Sequence, residues 1–390
     1  MNISAEGTHL GNWRETPNNR RTFHHVRELI PTANIHNNPS HICVLERNPI
    51  GLEKQMFSSH DGKSRRLDEV LTQSWTDAFL VMHQGSIVFE WYAPHYDGTE
   101  PHILFSVSKS VTGALTGVLI EQGRLDEDEA VSTYIPDATG SAYGDCTLRH
   151  VLDMQVGLEF VEIYTGGNDQ FNRYRTATGW NPPGFGEAAG DLRSFLTSLG
   201  RSHTPHGSIF AYMSPNTDML GLILEAASGE RLWDLISRYI WRPMGAESDA
   251  YITVDGRGAP RAAGGICVHL RDLARLGQVM CNGGQFNGNQ IIPAEWVRDT
   301  STHGSYEAWQ NGGFSNLLPA GRYRNQWYQT GNPEGVICAI GIHGQWIYSD
   351  SANEVVIVKQ SSQPDPVDDA LDALMLDLYG SISDMLGSDQ

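Results

Sequence analysis

Strand-forming segments lie near both ends of this chain, on either side of a middle part that is patterned for helices. Two apolar runs, 78–82 and 87–92, are separated by His83-Gln84-Gly85-Ser86, which is typical of a strand, a turn and a second strand. Further apolar runs near the other end predict strands at 336–342, 345–349 and 354–359. Strands at both ends around a helical middle predict an α/β sheet domain that is split by an all-α insertion.

This pattern divides the 390-residue chain into three parts. Residues 1–70 lack clear periodicity and predict an irregular N-terminal arm that packs on the α/β domain. The α/β domain comprises 71–144 and 256–390, and the part between them, 145–255, predicts a mainly helical domain. Apolar residues at helical spacing predict helices at 106–122, 147–154, 191–199, 215–227, 232–241 and 366–386.

One long segment inside the helical middle stands out by its composition. Residues 159–190 are dense in glycine, proline and aromatic residues. A loop of this length inside a compact domain is usually functional rather than a simple connection. We therefore predict that 159–190 forms a lid or a substrate-binding loop.

The chain contains one Ser-x-x-Lys motif, Ser106-Val107-Ser108-Lys109, where an apolar run turns into a helix. Positions i and i+3 share a helix face, so the amine of Lys109 can reach the hydroxyl of Ser106. A lysine whose pKa is lowered by apolar surroundings can take the proton of a serine and make it a nucleophile. The helix N-terminus would direct free N–H groups at a developing oxyanion. The alternative is an N-capping serine beside a surface lysine.

A second candidate is Tyr212-Met213-Ser214, just before a predicted helix. This spacing could place Tyr212 and Ser214 in one cleft. A tyrosine near a lysine can have its phenol pKa lowered and then share the role of general base. The alternative is an aromatic core residue followed by an N-cap, with Ser214 capping and Pro215 at the first helical position.

A third candidate is Gly341-Ile342-His343-Gly344, between two predicted strands. Glycine on both sides of Ile342 and His343 would let a substrate approach the backbone closely. An edge strand at this point could donate an N–H group to an oxyanion. The alternative is an ordinary hairpin turn.

Taken in order, these three segments resemble the serine β-lactamase and penicillin-binding-protein-like hydrolase family, and its class C branch in particular. Within that branch the chain is similar to the 6-aminohexanoate-dimer (nylon-oligomer) hydrolases and related carboxylesterases. The resemblance covers almost the whole chain and implies a β-lactamase-like antiparallel sheet flanked by helices. It is also carried by Val151-Leu152-Asp153-Met154-Gln155, Gly179-Trp180, Asn216-Thr217-Asp218, Arg271-Asp272-Leu273-Ala274-Arg275 and Pro364-Asp365-Pro366.

The resemblance implies the roles of the catalytic residues. Ser106 is the expected nucleophile, which forms an acyl-enzyme, and Lys109 and Tyr212 are the expected proton-transfer pair. The backbone N–H groups of Ser106 and Ile342 are the expected oxyanion hole. No metal or cofactor is expected.

The resemblance also implies a set of substrate-binding residues. Tyr164 matches a loop tyrosine that hydrogen-bonds the leaving amide nitrogen, and Trp180 matches an aromatic residue that covers the pocket when the loop closes. For both, the alternative is plain aromatic packing. The expected substrate-binding residues are Tyr164, Trp180, Ser214, Tyr328 and His343.

Some positions depart from the family pattern. Ala339-Ile340-Gly341 stands where true β-lactamases carry Lys-Thr-Gly, which predicts weak turnover of β-lactams. Relative to the nylon-oligomer enzymes, Arg175 replaces an acidic residue that holds an ammonium group, and Ala263 replaces a polar pocket residue. We therefore expect a serine hydrolase of carboxylic esters, and of linear amides such as 6-aminohexanoate oligomers. A β-lactamase or D-alanyl-D-alanine peptidase and a non-catalytic binding protein are the alternatives.

Composition excludes some classes of partner. Asp and Glu number 46 against 27 Lys and Arg, which gives a net charge of -19 and argues against nucleic-acid binding. The five cysteines are dispersed and form no Cys-x-x-Cys pair, as is common in a reducing compartment. Neither a secretory signal nor a transmembrane run is recognised. We expect a cytoplasmic enzyme with a small-molecule ester or amide substrate, and the resemblance favours a homodimer.

Overall fold

The structure is a computed structural model that describes residues 7–59, 62–166, 168–186 and 188–388. The strands are β1 Thr32–Ile35, β2 Met56–Ser58, β3 Ser64–Arg66, β4 Thr76–His83, β5 Ser86–Tyr92, β6 His102–Ile103, β7 Ala250–Thr253, β8 Ile266–Val268, β9 Gln285–Phe286, β10 Asn289–Gln290, β11 Arg322–Arg324, β12 Trp327–Gln329, β13 Ile337–Gly341, β14 Gln345–Asp350 and β15 Val355–Ser361.

The helices alternate with these strands and are concentrated in the middle of the chain. They are α1 Asn19–Thr22, α2 Leu67–Gln73, α3 Val107–Glu121, α4 Val131–Tyr134, α5 Leu148–Leu152, α6 Asp169–Ala177, α7 Leu192–Thr197, α8 Ser214–Ser228, α9 Leu232–Ile236, α10 Leu270–Cys281, α11 Ala294–Thr302, α12 Tyr306–Gln310 and α13 Asp369–Gly387. A π-helical turn at Ser237–Trp241 continues α9.

The main sheet joins the two ends of the chain. Its seven strands run in the order β11-β12-β13-β14-β15-β4-β5, and each neighbouring pair is antiparallel. Strand β15 pairs with β4 from Val355 opposite His83 onward, so the late strands complete the early hairpin. The sequence-based prediction of an antiparallel sheet built from both ends is confirmed.

The central strands are buried on both faces. Along β4, Leu80 and Met82 pack in the core cluster that contains α3 and α10, whereas Phe79 and Val81 pack in the cluster that contains α13. Because alternate side chains point to opposite faces of a strand, each face meets its own layer of helices. This two-sided burial explains why β4 and β15 read as continuous apolar runs.

A smaller sheet holds the site described below. Its order is β1-β7-β8-β6, and all three pairings are antiparallel. Strand β6 leads directly to Ser106, and β8 directly follows 261–265, so the pairing of β6 with β8 brings these two segments together. The N-terminal arm supplies β1, which pairs with β7, and this part of the arm therefore belongs to a sheet.

Helix α3 is buried on every side from Val107 to Leu119, not only on the predicted apolar face. Two glycines allow this. A Cβ at Gly113 would lie 2.2 Å from the carbonyl oxygen of Asn325, and one at Gly117 would lie 2.3 Å from the indole of Trp296. The helix that begins after Ser106 is thus fixed by close backbone and aromatic contacts on several sides.

The segment predicted as a long loop, 159–190, is not loop throughout. Helix α6 (Asp169–Ala177) lies in its middle, with Phe171, Tyr174 and Ala177 buried. Its N-cap is Asn168, whose side chain accepts a hydrogen bond from the N–H of Phe171. In the parts of the chain that the structure describes, every helix is too short or too polar to cross a lipid bilayer.

Candidate active site

Ser106 lies at the N-terminus of α3, directly after a strained residue. Phe105 has a φ of +44°, a conformation that costs a non-glycine residue about 1–3 kcal/mol. The turn is held because the N–H of Leu104 donates to the carbonyl of Ile266 at 2.9 Å. The Ser106 side chain is 9% exposed and lines two cavities. Its hydroxyl is thereby presented to the cavities from a rigid position.

Lys109 contacts this hydroxyl from one helical turn further along. Its Nζ lies 2.9 Å from Ser106 Oγ and donates to the carbonyl oxygen of Ala263 at 2.7 Å. Only 1% of Lys109 is exposed, and burial lowers its pKa to about 7, with Glu162 acting in the opposite direction. The contact predicted from the i, i+3 spacing is confirmed, and the amine is largely able to lose its proton near neutral pH.

A buried ion pair holds the carbonyl that Lys109 contacts. Asp218 accepts a hydrogen bond from the N–H of Ala263 at 2.8 Å and forms an ion pair with Arg261. The Tyr174 hydroxyl donates to the same carboxylate at 2.5 Å. Ala263 therefore contributes to the site through its backbone. Asp218 belongs to the family-like positions of the sequence, but this role could not be predicted from them.

Tyr212 lies on the other side of the amine. Lys109 Nζ is 4.9 Å from the centre of the Tyr212 ring, which stacks against Tyr328 at 6.4 Å. Burial raises the pKa of Tyr212, and Glu162 adds to the rise, while the hydroxyls of Ser106 and Tyr328 oppose it. The expectation of a lowered phenol pKa was wrong, because the loss of hydration outweighs the groups that lower the pKa, which are the two hydroxyls and Arg261. Tyr212 keeps its proton at neutral pH.

The end of β13 approaches the backbone of Ser106 closely. A Cβ at Gly341 would lie 2.7 Å from the carbonyl oxygen of Leu104 and 3.2 Å from the nitrogen of Ser106. Ile342 follows, and His343 then turns the chain with a φ of +59°. Within the described residues, the N–H groups of Ser106 and Ile342 donate to no carbonyl of the turns and caps. Ser106 and Ile342 line the same two cavities, so both N–H groups are candidates for an oxyanion hole.

Glu162 is a site residue that the sequence analysis missed. Its carboxylate accepts hydrogen bonds from the N–H of Ser214 at 2.6 Å and from the Ser214 hydroxyl at 2.8 Å, and another from the Tyr164 hydroxyl. It lines both cavities beside Ser106. No motif marks this residue, because Ser214 lies about fifty residues further along the chain and meets it only in the fold.

Two cavities meet at Ser106 and differ in chemistry. The wider one has a volume of about 370 Å³, and its walls include Tyr212, Phe314 and Tyr328. The narrow one has a volume of about 20 Å³, and its walls include Arg14 and Arg175. Among the residues described, no group of three or more His, Cys, Asp or Glu side chains is arranged to hold a metal ion.

Comparison with known proteins assigns the chain to a family. A family model described as Beta-lactamase matches residues 67–380, which is most of the chain. The chain belongs to the β-lactamase family. It is a hydrolase with a β-lactamase-like fold, as relatives within this family also indicate.

Two relatives match nearly the whole chain. The 6-aminohexanoate-dimer hydrolase of Paenarthrobacter ureafaciens is 37% identical over 360 residues, which are 92% of this chain and 88% of that protein. The structure of a Bacillus anthracis protein assigned to the 6-aminohexanoate-dimer hydrolases is 28% identical and superimposes with a TM-score of 0.91, over 100% of this chain and 99% of that one.

A family VIII carboxylesterase shares the fold alone. It is 15% identical, has a TM-score of 0.58, and the match covers 80% of this chain and 96% of that one. The resemblance to 6-aminohexanoate-dimer hydrolases that the sequence predicted is confirmed by the closer pair of relatives.

The β-lactamase-like scaffold places the predicted substrate-binding residues in different surroundings. Tyr164 lines both cavities, Trp180 lines the narrow one and Tyr328 the wide one. Ser214 lines the narrow cavity, with its hydroxyl held by Glu162.

His343 lies behind the wall of the site rather than in it. It is 3% exposed and does not line either cavity. Its Nδ1 contacts the carbonyl oxygen of Gln363 at 2.7 Å, and its ring packs 5.3 Å from the ring of Phe105. Burial lowers the pKa of His343 to about 4, so the imidazole is neutral. In this position His343 supports the turn that carries Ile342.

Replacing Gly341 by alanine is expected to lower kcat for ester hydrolysis about tenfold to a hundredfold, because a Cβ there would push β13 away from Ser106. Gly140→Ala is the matched control, since a Cβ at Gly140 meets nothing within 4 Å. Steady-state kinetics on a p-nitrophenyl ester measures the effect. Equal activity of the two variants would show that the close approach of β13 is not needed.

Proposed function

We propose that this chain hydrolyses carboxylic esters and linear amides through an acyl-enzyme on Ser106. The observation that carries the proposal is the contact between Lys109 Nζ and Ser106 Oγ at 2.9 Å, with the amine buried and its pKa near 7. A serine hydroxyl becomes a useful nucleophile only when a base beside it can accept its proton. Lys109 has both the position and the proton affinity for this role.

In acylation, Ser106 Oγ attacks the carbonyl carbon and its proton passes to Lys109. The developing oxyanion accepts hydrogen bonds from the N–H groups of Ser106 and Ile342. Tyr212, which keeps its own proton, passes one to the leaving oxygen or nitrogen and is reprotonated from Lys109. The bond to the leaving group breaks, and an alcohol or amine departs. Each oxyanion donor in a site of this kind contributes about 3–4 kcal/mol to transition-state stabilisation.

In deacylation, a water molecule takes the place of the leaving group beside Tyr212 and Lys109. Lys109 accepts a proton from the water as the oxygen attacks the ester carbonyl of the acyl-enzyme. The same two N–H groups stabilise the second oxyanion. Collapse of this intermediate breaks the bond to Ser106 Oγ, which regains a proton, and the carboxylic acid is released.

Three observations support esters and linear amides as the substrate class. The relatives that cover nearly the whole chain are 6-aminohexanoate-dimer hydrolases, whose name denotes cleavage of a linear amide. The wall at β13 presents Ile340, which is apolar, where a Lys-Thr-Gly strand would offer polar groups to a β-lactam carboxylate. Tyr164 lines both cavities with Ser106, and its hydroxyl, which donates to Glu162, can accept a hydrogen bond from a leaving amide nitrogen.

A substrate panel tests the proposal. It contains p-nitrophenyl esters of increasing acyl length, 6-aminohexanoate oligomers and a chromogenic cephalosporin, all assayed with the same enzyme preparation. We expect kcat/KM for the best ester to exceed that for the cephalosporin. Faster turnover of the cephalosporin than of a short-chain ester would instead identify a β-lactamase. If folded protein hydrolysed no substrate of the panel, the chain would be a binding protein.

A further inference from the structure

The narrow cavity beside Ser106 carries an excess of positive charge. Three guanidinium groups line it, those of Arg14, Arg175 and Arg261, together with a single carboxylate, that of Glu162. Arg261 is neutralised by its ion pair with Asp218. Glu162 is held by Ser214 and by Tyr164, and within the described residues it forms no ion pair with an arginine. Arg14 and Arg175 therefore face the cavity against one carboxylate, that of Glu162, which leaves an excess of positive charge.

Arg175 is the less satisfied of these two groups. In the described parts of the chain its guanidinium has no hydrogen bond and no ion pair, and it lies 4.3 Å from the centre of the Phe171 ring. Burial lowers the pKa of Arg175. The charge of Arg261 lowers it further, whereas Tyr164 and Glu162 raise it. A guanidinium that is partly desolvated and unpaired is stabilised when an anion binds to it.

Arg14 comes from the N-terminal arm and completes the cationic wall. It donates to the carbonyl oxygen of Trp180 at 3.2 Å and to the side chain of Asn181 at 2.5 Å, and it packs 4.8 Å from the centre of the Trp13 ring. These contacts orient the guanidinium but do not neutralise it. The arm thus adds a second fixed positive charge to a cavity that opens on the nucleophile.

The position of Tyr212 indicates which part of a substrate would enter the narrow cavity. Tyr212 lines only the wide cavity, and the leaving group must lie where it can receive a proton. The acyl group then extends from Ser106 in the other direction, towards Arg175. At about 20 Å³, the narrow cavity has room for about one water-sized group, which suits a small terminal group on a short acyl chain.

We propose that the narrow cavity binds a carboxylate at the end of the acyl group, so that the preferred substrates are monoesters or monoamides of short dicarboxylic acids. The inference rests on the proposed hydrolysis through Ser106. Planar carboxylates and guanidinium groups form paired, charge-assisted hydrogen bonds, which add both affinity and orientation. The net charge of -19 acts against such substrates in bulk solution, so a preference for them would have to arise within the site.

A matched pair of substrates tests the inference. Monoethyl succinate and ethyl succinamate have nearly the same shape, but only the first carries a carboxylate; the monoethyl ester and ester-amide of glutaric acid extend the series by one methylene. We expect kcat/KM of the wild-type enzyme for the anionic ester to exceed that for its neutral partner about tenfold or more. Ethanol release measures both reactions.

Substitutions of single arginines distinguish the effect of a charge at the narrow cavity from the effect of the net charge of the protein. Arg175→Gln is expected to lower the ratio of anionic to neutral turnover about tenfold. Arg173→Gln is the control: it removes the same charge from the same helix, but Arg173 is exposed and lines neither cavity beside Ser106. Arg14→Gln tests the second cation independently, so the result does not depend on the folding of one variant.

The outcomes distinguish this inference from the function on which it rests. A wild-type ratio near one, with both esters hydrolysed, would overturn the carboxylate subsite and leave the esterase proposal intact. An equal fall of the ratio in Arg173→Gln and Arg175→Gln would also overturn it, since bulk charge would then account for the preference. Failure of folded enzyme to hydrolyse any ester of the panel would reject the proposed function itself.

Discussion

Replacing Ser106 by alanine is expected to lower kcat/KM for a short-chain p-nitrophenyl ester about 10⁴-fold or more. The hydroxyl is the only part of the side chain that is lost, so the cavities and the two free N–H groups stay in place. Removing the nucleophile from a set of catalytic groups that act together abolishes nearly all of the chemical rate enhancement. The other groups act on the nucleophile or on the covalent intermediate that it forms.

The control for this variant is Ser40→Ala, at an exposed serine outside the site. Thermal unfolding of both variants should stay close to that of the wild type, which separates loss of chemistry from loss of structure. Activity of the Ser106 variant within tenfold of the wild type would refute the assignment of the nucleophile.

The second large effect concerns Lys109 and the dependence of activity on pH. Burial lowers the pKa of Lys109 to about 7, and only the neutral amine can accept the proton of Ser106. Below pH 7 the amine is protonated, so kcat/KM is expected to fall about tenfold for each pH unit on the acid side. Above pH 7 it should reach a plateau.

Substitution of Lys109 is expected to remove this dependence together with most of the activity. Lys109→Met should lower kcat/KM about 10³-fold or more, since general base catalysis contributes up to about 10⁴-fold and the serine depends on it. Lys109→Arg retains a charge but not a group that titrates near neutrality, and it should be similarly inactive at every pH. Lys54→Met, at an exposed lysine, is the control. If the fall in kcat/KM below pH 7 persisted in Lys109→Met, the titration would belong to another group.

The main sheet could be predicted from the sequence because its central strands are covered on both faces. Strands β4 and β15 each contain an unbroken apolar run, 78–82 and 355–358, and such runs between turn residues indicate buried strands. The Ser106–Lys109 contact could be predicted for a similarly local reason, since a helix fixes the geometry of residues three apart.

The surroundings of this pair could not be predicted, because they depend on contacts between distant segments. Asp218 reaches Lys109 through the backbone of Ala263, and Glu162 reaches Ser214 from a loop that precedes it by about fifty residues. The predicted direction of the Tyr212 pKa shift was wrong for the same reason. It is set by how much hydration the folded chain removes, and no motif encodes that quantity.

The positive charge that Arg14 and Arg175 bring to the narrow cavity could not be predicted from the sequence either. Arg175 stands out in the sequence as a departure from a family position, but nothing in the sequence indicates that the N-terminal arm brings Arg14 to the same cavity. The arm packs through Trp13 and Phe23 against Phe105, the residue before Ser106. Residues with no periodicity of their own therefore help to shape the cavity at the nucleophile.

The most direct test of the central claim is to trap the covalent intermediate and locate it. The native enzyme is treated with a fluorophosphonate, digested, and examined by peptide mass spectrometry. The account predicts one adduct, on the hydroxyl of Ser106, that forms much more slowly in Lys109→Met than in the wild type. An adduct on a different residue, or no adduct on enzyme shown to be folded, would contradict it.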